Sequence, residues 1–475
     1  MQERMMQKVF QSCDVLDRHC YEAYGLTEDI LMEHAAAGMA HYIRSHFSEG
    51  SRVLIVSGPG NNGADGIVLA RQLFGMYDIQ LCVPLGMRSE MATLQLERAQ
   101  KVGIMPFEAA KTIEDADVVV DALFGAGLNR MLNDTVQQLL HRLNALKGFK
   151  LACDIPTGIG SDGRLMPFAF EADVTVTMGA LKEALFLDAA KDAVGKVVCV
   201  DLGVSRQKYE HKSNTFVLES RDLRLPTRHS KTTHKGSFGH AALLCGEKEG
   251  AGIIAATAAS RFGAGLTTLV VHEKVAVPLY LMHATVVPAN ATALAAGMGL
   301  GGHFDADFLQ KHIIQSHLPI VLDADAFYHE GLLSILEQKT REIVITPHPK
   351  EFAALWEHIG KEQLSVEEIQ QSRFEVVRCF NARYPHVTLL LKGANMLIAQ
   401  EEQLYINPLG SAVLSKGGSG DVLSGLIVSL LAQGYTGLEA AIQGSLALAV
   451  AAERYEGASY AMLPTDLTEL LAKLE

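Results

Sequence analysis

Residues 52–77 read RVLIVSGPGNNGADGIVLARQLFGMY, and the order of signals within them decides the fold. Four successive apolar positions, Val53 to Val56, predict a strand buried on both faces, as in a parallel sheet covered by helices. Gly58, Pro59, Gly60 and the pair Asn62-Gly63 then interrupt the run, and IVLARQLFGMY resumes with helical character. Strand, glycine loop and helix in that order are the opening of an α/β unit. A helix start also presents unpaired N–H groups and partial positive charge to an anion. Taken alone, the loop reads equally as a phosphate cradle or as a plain turn.

The same alternation recurs outward from this stretch, in DVVVDALF from Asp117, LACDIP from Leu151 and PIVLDAD from Pro319. It predicts an α/β protein with mostly parallel sheets, whose ligands gather at the carboxyl ends of the strands. A chain of 475 residues is too long for one ordinary core and implies two domains. From Glu210 to Lys235 the pattern lapses into EHKSNTFVLESRDLRLPTRHSKTTHK, which places the boundary near Glu219 and the domains at 1–218 and 219–475.

Hydrophobic residues make up 48% of the chain and the formal net charge is −13, so it should bury full cores and should not offer a general surface to nucleic acid or an anionic membrane. A local basic pocket for phosphates stays compatible with that charge, and the ligand should be small. The cysteines at 13, 20, 82, 153, 199, 245 and 379 form no C-x-x-C pair and read as reduced core thiols. Residues 1–10, MQERMMQKVF, lack the apolar run of a signal peptide, and no stretch reaches the roughly 18 apolar residues of a membrane span, so a cytoplasmic location is expected.

Two further strand ends carry acids: Asp121 before Ala-Leu-Phe-Gly-Ala-Gly-Leu128, and Asp154 before Ile-Pro-Thr-Gly158. One such carboxylate is often only a loop cap. Three adjacent loops with Asp or Asn beside glycine suit the walls of one crevice. Asn62, Asp121 and Thr157 offer hard oxygen ligands for potassium, magnesium or calcium, and no zinc spacing is present.

GPGNNGADG, DALFGAGL and DIPTG, in this order over roughly residues 1–215, resemble the epimerase domain of the NAD(P)H-hydrate repair enzymes, a Rossmann-like fold. The resemblance implies that Asn61, Asn62, Gly63, Ala64 and Asp65, with Gly125, Ala126, Gly127 and Leu128, contact the hydrated cofactor. It implies potassium on Asn62, Asp121 and Thr157, and Asp154 as the catalytic group at the nicotinamide ring. The family's NNGGDG is NNGADG here; a positive φ at Ala64 would cost about 1 kcal/mol.

In the second half, Lys416-Gly-Gly-Ser-Gly-Asp421 precedes the apolar VLSGLIVSLLAQG and marks a helix start. Three glycines and a serine leave N–H groups bare for a phosphate, and Asp421 falls in the first turn. An anion hole beside a carboxylate suits activation of a hydroxyl against a phosphoryl group, whereas a first-turn Asp alone is a common helix stabiliser. His348 in TPHPKEF, Lys392 in KGAN, and Asp323 and Asp325 in LDADAF end other strands. Singly, His348 reads as a structural histidine, Lys392 as a solvated turn and Asp325 as a helix cap. Trp356 reads as packing.

KGSFGHAALLCG, RFGAGLTTLV, LDADAF, TPHPKEF, KGAN and GGSGDVLSG, over residues 225–475, resemble the ADP-dependent NAD(P)H-hydrate dehydratases of the ribokinase-like superfamily. The resemblance implies that Lys392, Gly393, Ala394, Asn395, Met396 and Gly420 line the adenine nucleotide. Gly265, Gly299, His348 and Asp421 would approach the hydrate, with Asp421 as general base. ADP is the implied co-substrate, with magnesium, and NADH hydrate and NADPH hydrate are the substrates of a homo-oligomer. The chain departs from the family at AGMGLG (from Ala296), at LGSAVLSKGGSGD, and after KGAN, where a threonine is usual. A ribokinase-like thiazole or hydroxymethylpyrimidine kinase, or a non-catalytic amino-terminal binding module, are the competing readings.

Overall fold

A computed structural model describes residues 6–108, 113–272, 275–302, 304–360 and 363–475. Residues 1–5 of the amino-terminal stretch lie outside the described residues. The chain forms two compact units that divide between Ser213 and Asn214. The division falls upstream of Glu219 because Thr215–Val217 forms a strand paired with Leu404–Ile406 of the second unit.

In the first unit six parallel strands lie in the order Asp78–Cys82, Arg52–Ser57, Val118–Ala122, Phe149–Cys153, Val174–Met178 and Lys196–Val200. Their continuous apolar runs have a simple cause: side chains alternate between faces, and both faces are covered. Val53, Ile55, Val118 and Val120 pack with helices Glu28–His46 and Asn61–Leu73, while Leu54, Val56 and Val119 pack with Asp134–Ala145. The chain leaves Arg52–Ser57 toward one edge of the sheet and resumes at Val118–Ala122 on the other side of it. The carboxyl ends of these two neighbours therefore form a topological switch point, where an open α/β sheet takes its ligand.

The second unit is also α/β, with a mixed sheet. Strands Met282–Ala284, Leu266–Val271, His240–Cys245, Ala293–Ala296, Ile320–Leu322, Ile343–Ile345 and Val387–Leu391 run parallel in that order. Met396–Gln400 and Gln403–Asn407 continue antiparallel. Helix Ser419–Ala432 is buried almost all round, and its sequence has no polar stripe to expose. It lies close on helix Glu249–Arg261, where a Cβ on Gly425 would stand 2.1 Å from the Ala255 carbonyl. Helices Pro349–His358 and Arg373–Arg383 bury Phe352, Leu355, Val377 and Phe380. Trp356 is packing, as expected, buried with its ring against Phe352. The cysteines are free, but they are not all core thiols: Cys199 is half-buried and Cys379 exposed. Among the described residues no helix is long and apolar enough to cross a membrane.

Candidate active sites

In the first unit the chain turns from Ser57 into helix Asn61–Leu73 with no side chain capping the helix start. The turn is glycine-rich because backbone packs on backbone. A Cβ on Gly58 would stand 1.8 Å from the Leu123 carbonyl, and one on Gly63 1.9 Å from the Gly58 carbonyl. Ala64 lies inside the helix, is buried and has no positive φ, so the alanine carries no backbone penalty.

Asp121 is fully buried at its strand end and accepts from Thr157 N (2.7 Å), Thr157 Oγ1 (2.7 Å) and Leu123 N (3.1 Å). Burial pushes its carboxyl up to about 6, and these hydrogen bonds pull the other way. Thr157 Oγ1 also lies 3.1 Å from the Phe124 carbonyl. Asn62 reaches the same loop, since a Cβ on Gly125 would stand 2.8 Å from its Oδ1, and its Nδ2 is buried without a partner.

Asp154 has φ 68°, a left-handed conformation rare for a residue with a side chain and found most often where function holds it. Its Oδ1 accepts from Lys182 Nζ (2.6 Å), Thr177 Oγ1 (3.1 Å) and Met178 N (3.1 Å). Its Oδ2 accepts from no described residue, which leaves one oxygen for a ligand. Lys182 is buried, which alone would lower its pKa, but the Asp154 carboxylate outweighs burial and the ammonium is held above its ordinary range.

Two cavities meet here. The larger, about 780 Å³, is lined by the loops at 59–62 and 123–130 together with Arg88. The smaller, about 170 Å³, adds Cys13, Asp17, Glu28 and Lys182. Asp14, Asn61, Asp65, Ala126 and Asp154 border both.

In the second unit Gly418, at φ 97°, opens helix Ser419–Ala432, and its missing Cβ would stand 2.4 Å from Pro464. Lys416 turns away, its ammonium donating to the Tyr460 carbonyl at 3.1 Å. Asp421 sits in the first turn, its carboxyl pushed up to about 6 by burial and then by Asp323, with Lys392 opposing and Asp325 and Glu351 adding to the rise. Lys392 Nζ donates to Asp323 Oδ1 at 2.5 Å, and Ser424 Oγ donates to Asp323 Oδ2 at 2.7 Å. Gly420 lets this ammonium approach the helix start, for a Cβ there would be 3.3 Å from Lys392 Nζ. Lys392 is thus an ion-paired cleft residue and not a solvated turn. The loop from Lys392 to Met396 is held by buried Arg373, which donates to the Leu391, Lys392 and Asn395 carbonyls.

The carboxyl-terminal residues 241–473 match the family model described as NAD(P)H-hydrate dehydratase, and residues 28–184 match that of the YjeF-related protein N-terminus. A bifunctional NAD(P)H-hydrate repair enzyme Nnr of Helicobacter pylori is 41% identical over 477 residues, covering 99% of this chain and 100% of its own length. The chain belongs to the bifunctional NAD(P)H-hydrate repair enzymes. The repair enzyme of Coxiella burnetii is 32% identical, covering 95% of this chain and 96% of its own. An ADP/ATP-dependent NAD(P)H-hydrate dehydratase of Bacillus subtilis, co-crystallised with ATP/Mg2+, is similar at 24% identity and a TM-score of 0.44, over 54% of this chain and 94% of its own.

Within this repair enzyme most of the expected residues converge, with two differences. His348 caps helix Pro349–His358: its Nδ1 accepts from Lys350 N and Glu351 N, so the ring proton sits on Nε2, 3.1 Å from Glu351 Oε1. It reaches Asp421's surroundings through Glu351. Gly265 is not brought to the cleft. It precedes strand Leu266–Val271, at the amino end of the sheet, whereas Asp323, His348 and Lys392 follow the carboxyl ends of theirs. A Cβ on Gly265 would stand 1.7 Å from the Lys235 carbonyl, so Gly265→Ala should destabilise the second unit by about 1–3 kcal/mol or more. Urea unfolding checks this, and an unchanged midpoint would refute the packing role. Gly299, at φ 61°, lies beside Lys248 at the carboxyl edge, and Met298 of AGMGLG is core, so that departure is apolar packing.

Residues without a sequence signal complete both sites. Lys182, Arg88, Arg130 and Arg373 stand in no recognisable motif. Asp323 was visible at its strand end, but its pairing with Lys392 was not.

Proposed function

We propose that the two units divide the repair, with Asp154 serving epimerisation of the R and S hydrates in the first and Asp421 serving ADP-dependent dehydration of the S hydrate in the second. The observation that carries this reading is that each unit holds its own glycine-lined helix start beside a carboxylate paired with a lysine, Asp154 with buried Lys182 in the first and Asp323 with half-buried Lys392 in the second. Incubation with mixed hydrate epimers and ADP, followed by the return of nicotinamide absorbance, tests it. No return with ADP or ATP would favour a small-molecule kinase or a non-catalytic module.

The hydrate's hydroxyl departs poorly as hydroxide and must be activated. Asp421 takes the hydroxyl proton as the oxygen attacks the terminal phosphorus of ADP, and AMP leaves. The carbon–oxygen bond then breaks with phosphate as leaving group, the adjacent carbon gives up a proton, and the ring double bond returns. Lys392, already at the helix start, offsets charge on the transferring group. A base with its carboxyl near 6 works only when deprotonated, so dehydration should fall as pH drops through about 6, by roughly tenfold per unit below it. A flat kcat/KM profile down to pH 5 would contradict the assignment. Magnesium would arrive on the nucleotide phosphates, since the described residues contain no group of three or more His, Cys, Asp or Glu placed to hold a metal.

Potassium fits the oxygens of Asn62, Asp121 and Thr157: the buried Asp121 carboxylate has only hydrogen bonds to offset its charge, and the Thr157 hydroxyl lies against it. A bound cation would neutralise Asp121 and hold the 123–130 loop. Potassium at a hundredfold over its Kd should stabilise the first unit by ~2.7 kcal/mol relative to choline. Melting in the two chlorides checks this, and Asp121→Asn should lose the difference.

A further inference from the structure

Inverting the hydroxyl-bearing carbon requires a bond to break and re-form on the other ring face, and a base alone does not make hydroxide a good leaving group. The charge on the cavity walls indicates how the bond breaks. The smaller lobe carries Asp14, Asp17, Glu28, Asp65 and Asp154 against one ammonium, Lys182, which Asp154 already pairs. Arg88 and Arg130 lie only in the larger lobe, which also holds the glycine loop. Such a cavity takes the pyrophosphate in the large lobe and favours positive charge on the ring in the small one.

Among these carboxyls Asp65 alone is both recessed and uncommitted. Asp17 Oδ1 accepts from Tyr209 Oη at 2.6 Å, Glu28 Oε1 accepts from Asn61 Nδ2, and Asp14 is exposed at the surface. Asp65, half-buried on helix Asn61–Leu73, accepts from no described residue and borders both lobes beside Asp154. Burial, then the Asp154, Asp17 and Glu28 carboxylates, raises its carboxyl well above the ordinary range, with Lys182 opposing. An acid that keeps its proton beside a carboxylate with a free oxygen is a donor–acceptor pair.

We propose that Asp65 is the proton donor of the epimerase, acting opposite Asp154 as acceptor. Asp65 gives its proton to the hydroxyl as the carbon–oxygen bond breaks, and the electron pair leaves with the oxygen as water. The ring nitrogen's lone pair forms the iminium. Water then adds to the other face and gives a proton to Asp154. The reverse reaction starts from that state with the two roles exchanged, so no external acid or oxidant is consumed.

This inference rests on Asp154 serving the epimerase, and the test separates the two claims. The full-length protein is incubated with one purified hydrate epimer in ¹⁸O-water without ADP, and inversion and label are followed together. The wild type should place one ¹⁸O in the hydroxyl per inversion. Asp65→Asn should lose about 100-fold or more of both, and Asp65→Glu should recover part, while dehydration of the S hydrate with ADP stays at the wild-type rate in each. Inversion without label, or Asp65→Asn and Asp65→Glu both epimerising within threefold of wild type, would overturn the proton-donor role. Wild-type inversion by Asp154→Ala would instead overturn the assignment of the site.

Discussion

Asp421→Ala is expected to lower dehydration by ~10²–10⁴-fold, the span that a positioned base commonly contributes, while leaving epimerisation untouched. The described carboxylates around Asp421 are already engaged: Asp323 with Lys392 and Ser424, Glu351 with His348, and Asp325 with the Gly301 N–H. The side chain lies in a first helical turn and caps nothing, so its loss should cost little stability. Single-turnover measurement with the S hydrate and ADP reads the effect directly. An Asp421→Ala protein that dehydrates at the wild-type rate would remove the base from the mechanism.

Asp154→Ala is expected to stall the R hydrate by a similar ~10²–10⁴-fold while the S hydrate still disappears. Here a second effect must be separated. Removing the carboxylate leaves the buried Lys182 ammonium uncompensated, which in comparable pairs costs about 3–5 kcal/mol. The double variant Asp154→Ala with Lys182→Met removes both charges and should regain much of that stability without regaining epimerisation. Urea unfolding and the R-hydrate rate, measured on all three proteins, distinguish a lost acceptor from a weakened fold. Recovery of epimerisation in the double variant would show that Asp154 acts only by holding Lys182.

What was legible in the sequence was local. The strand, glycine loop and helix around residues 52–77 could be read because periodicity and turn chemistry act over a few neighbours, and Asp421 was visible because its motif is one helical turn long. The alternation of apolar runs likewise foretold α/β units. Partners set by chain return were not legible. Lys182 meets Asp154 only because Leu181–Lys182 and the end of Val174–Met178 fold back on it, and Arg373 serves a hairpin that begins beyond the end of its own helix. Gly265 misled for a related reason. It was named only by the family resemblance, and strand direction places it at the amino end of the sheet, where close backbone packing demands glycine. His348 was readable both as ligand and as structural histidine, and its Nδ1 is committed to the helix start. Position 64 looked costly in the sequence, yet helical backbone accepts alanine better than glycine.

The division of labour between the two units is tested most directly by complementation. Mixed R and S hydrates with ADP are given Asp154→Ala alone, Asp421→Ala alone, and then both proteins together, and the returning nicotinamide absorbance is followed to its plateau. The first should restore the S fraction, the second nothing, and the mixture the whole, because each protein supplies the half that the other lacks. A mixture that stops at the S fraction would contradict the account.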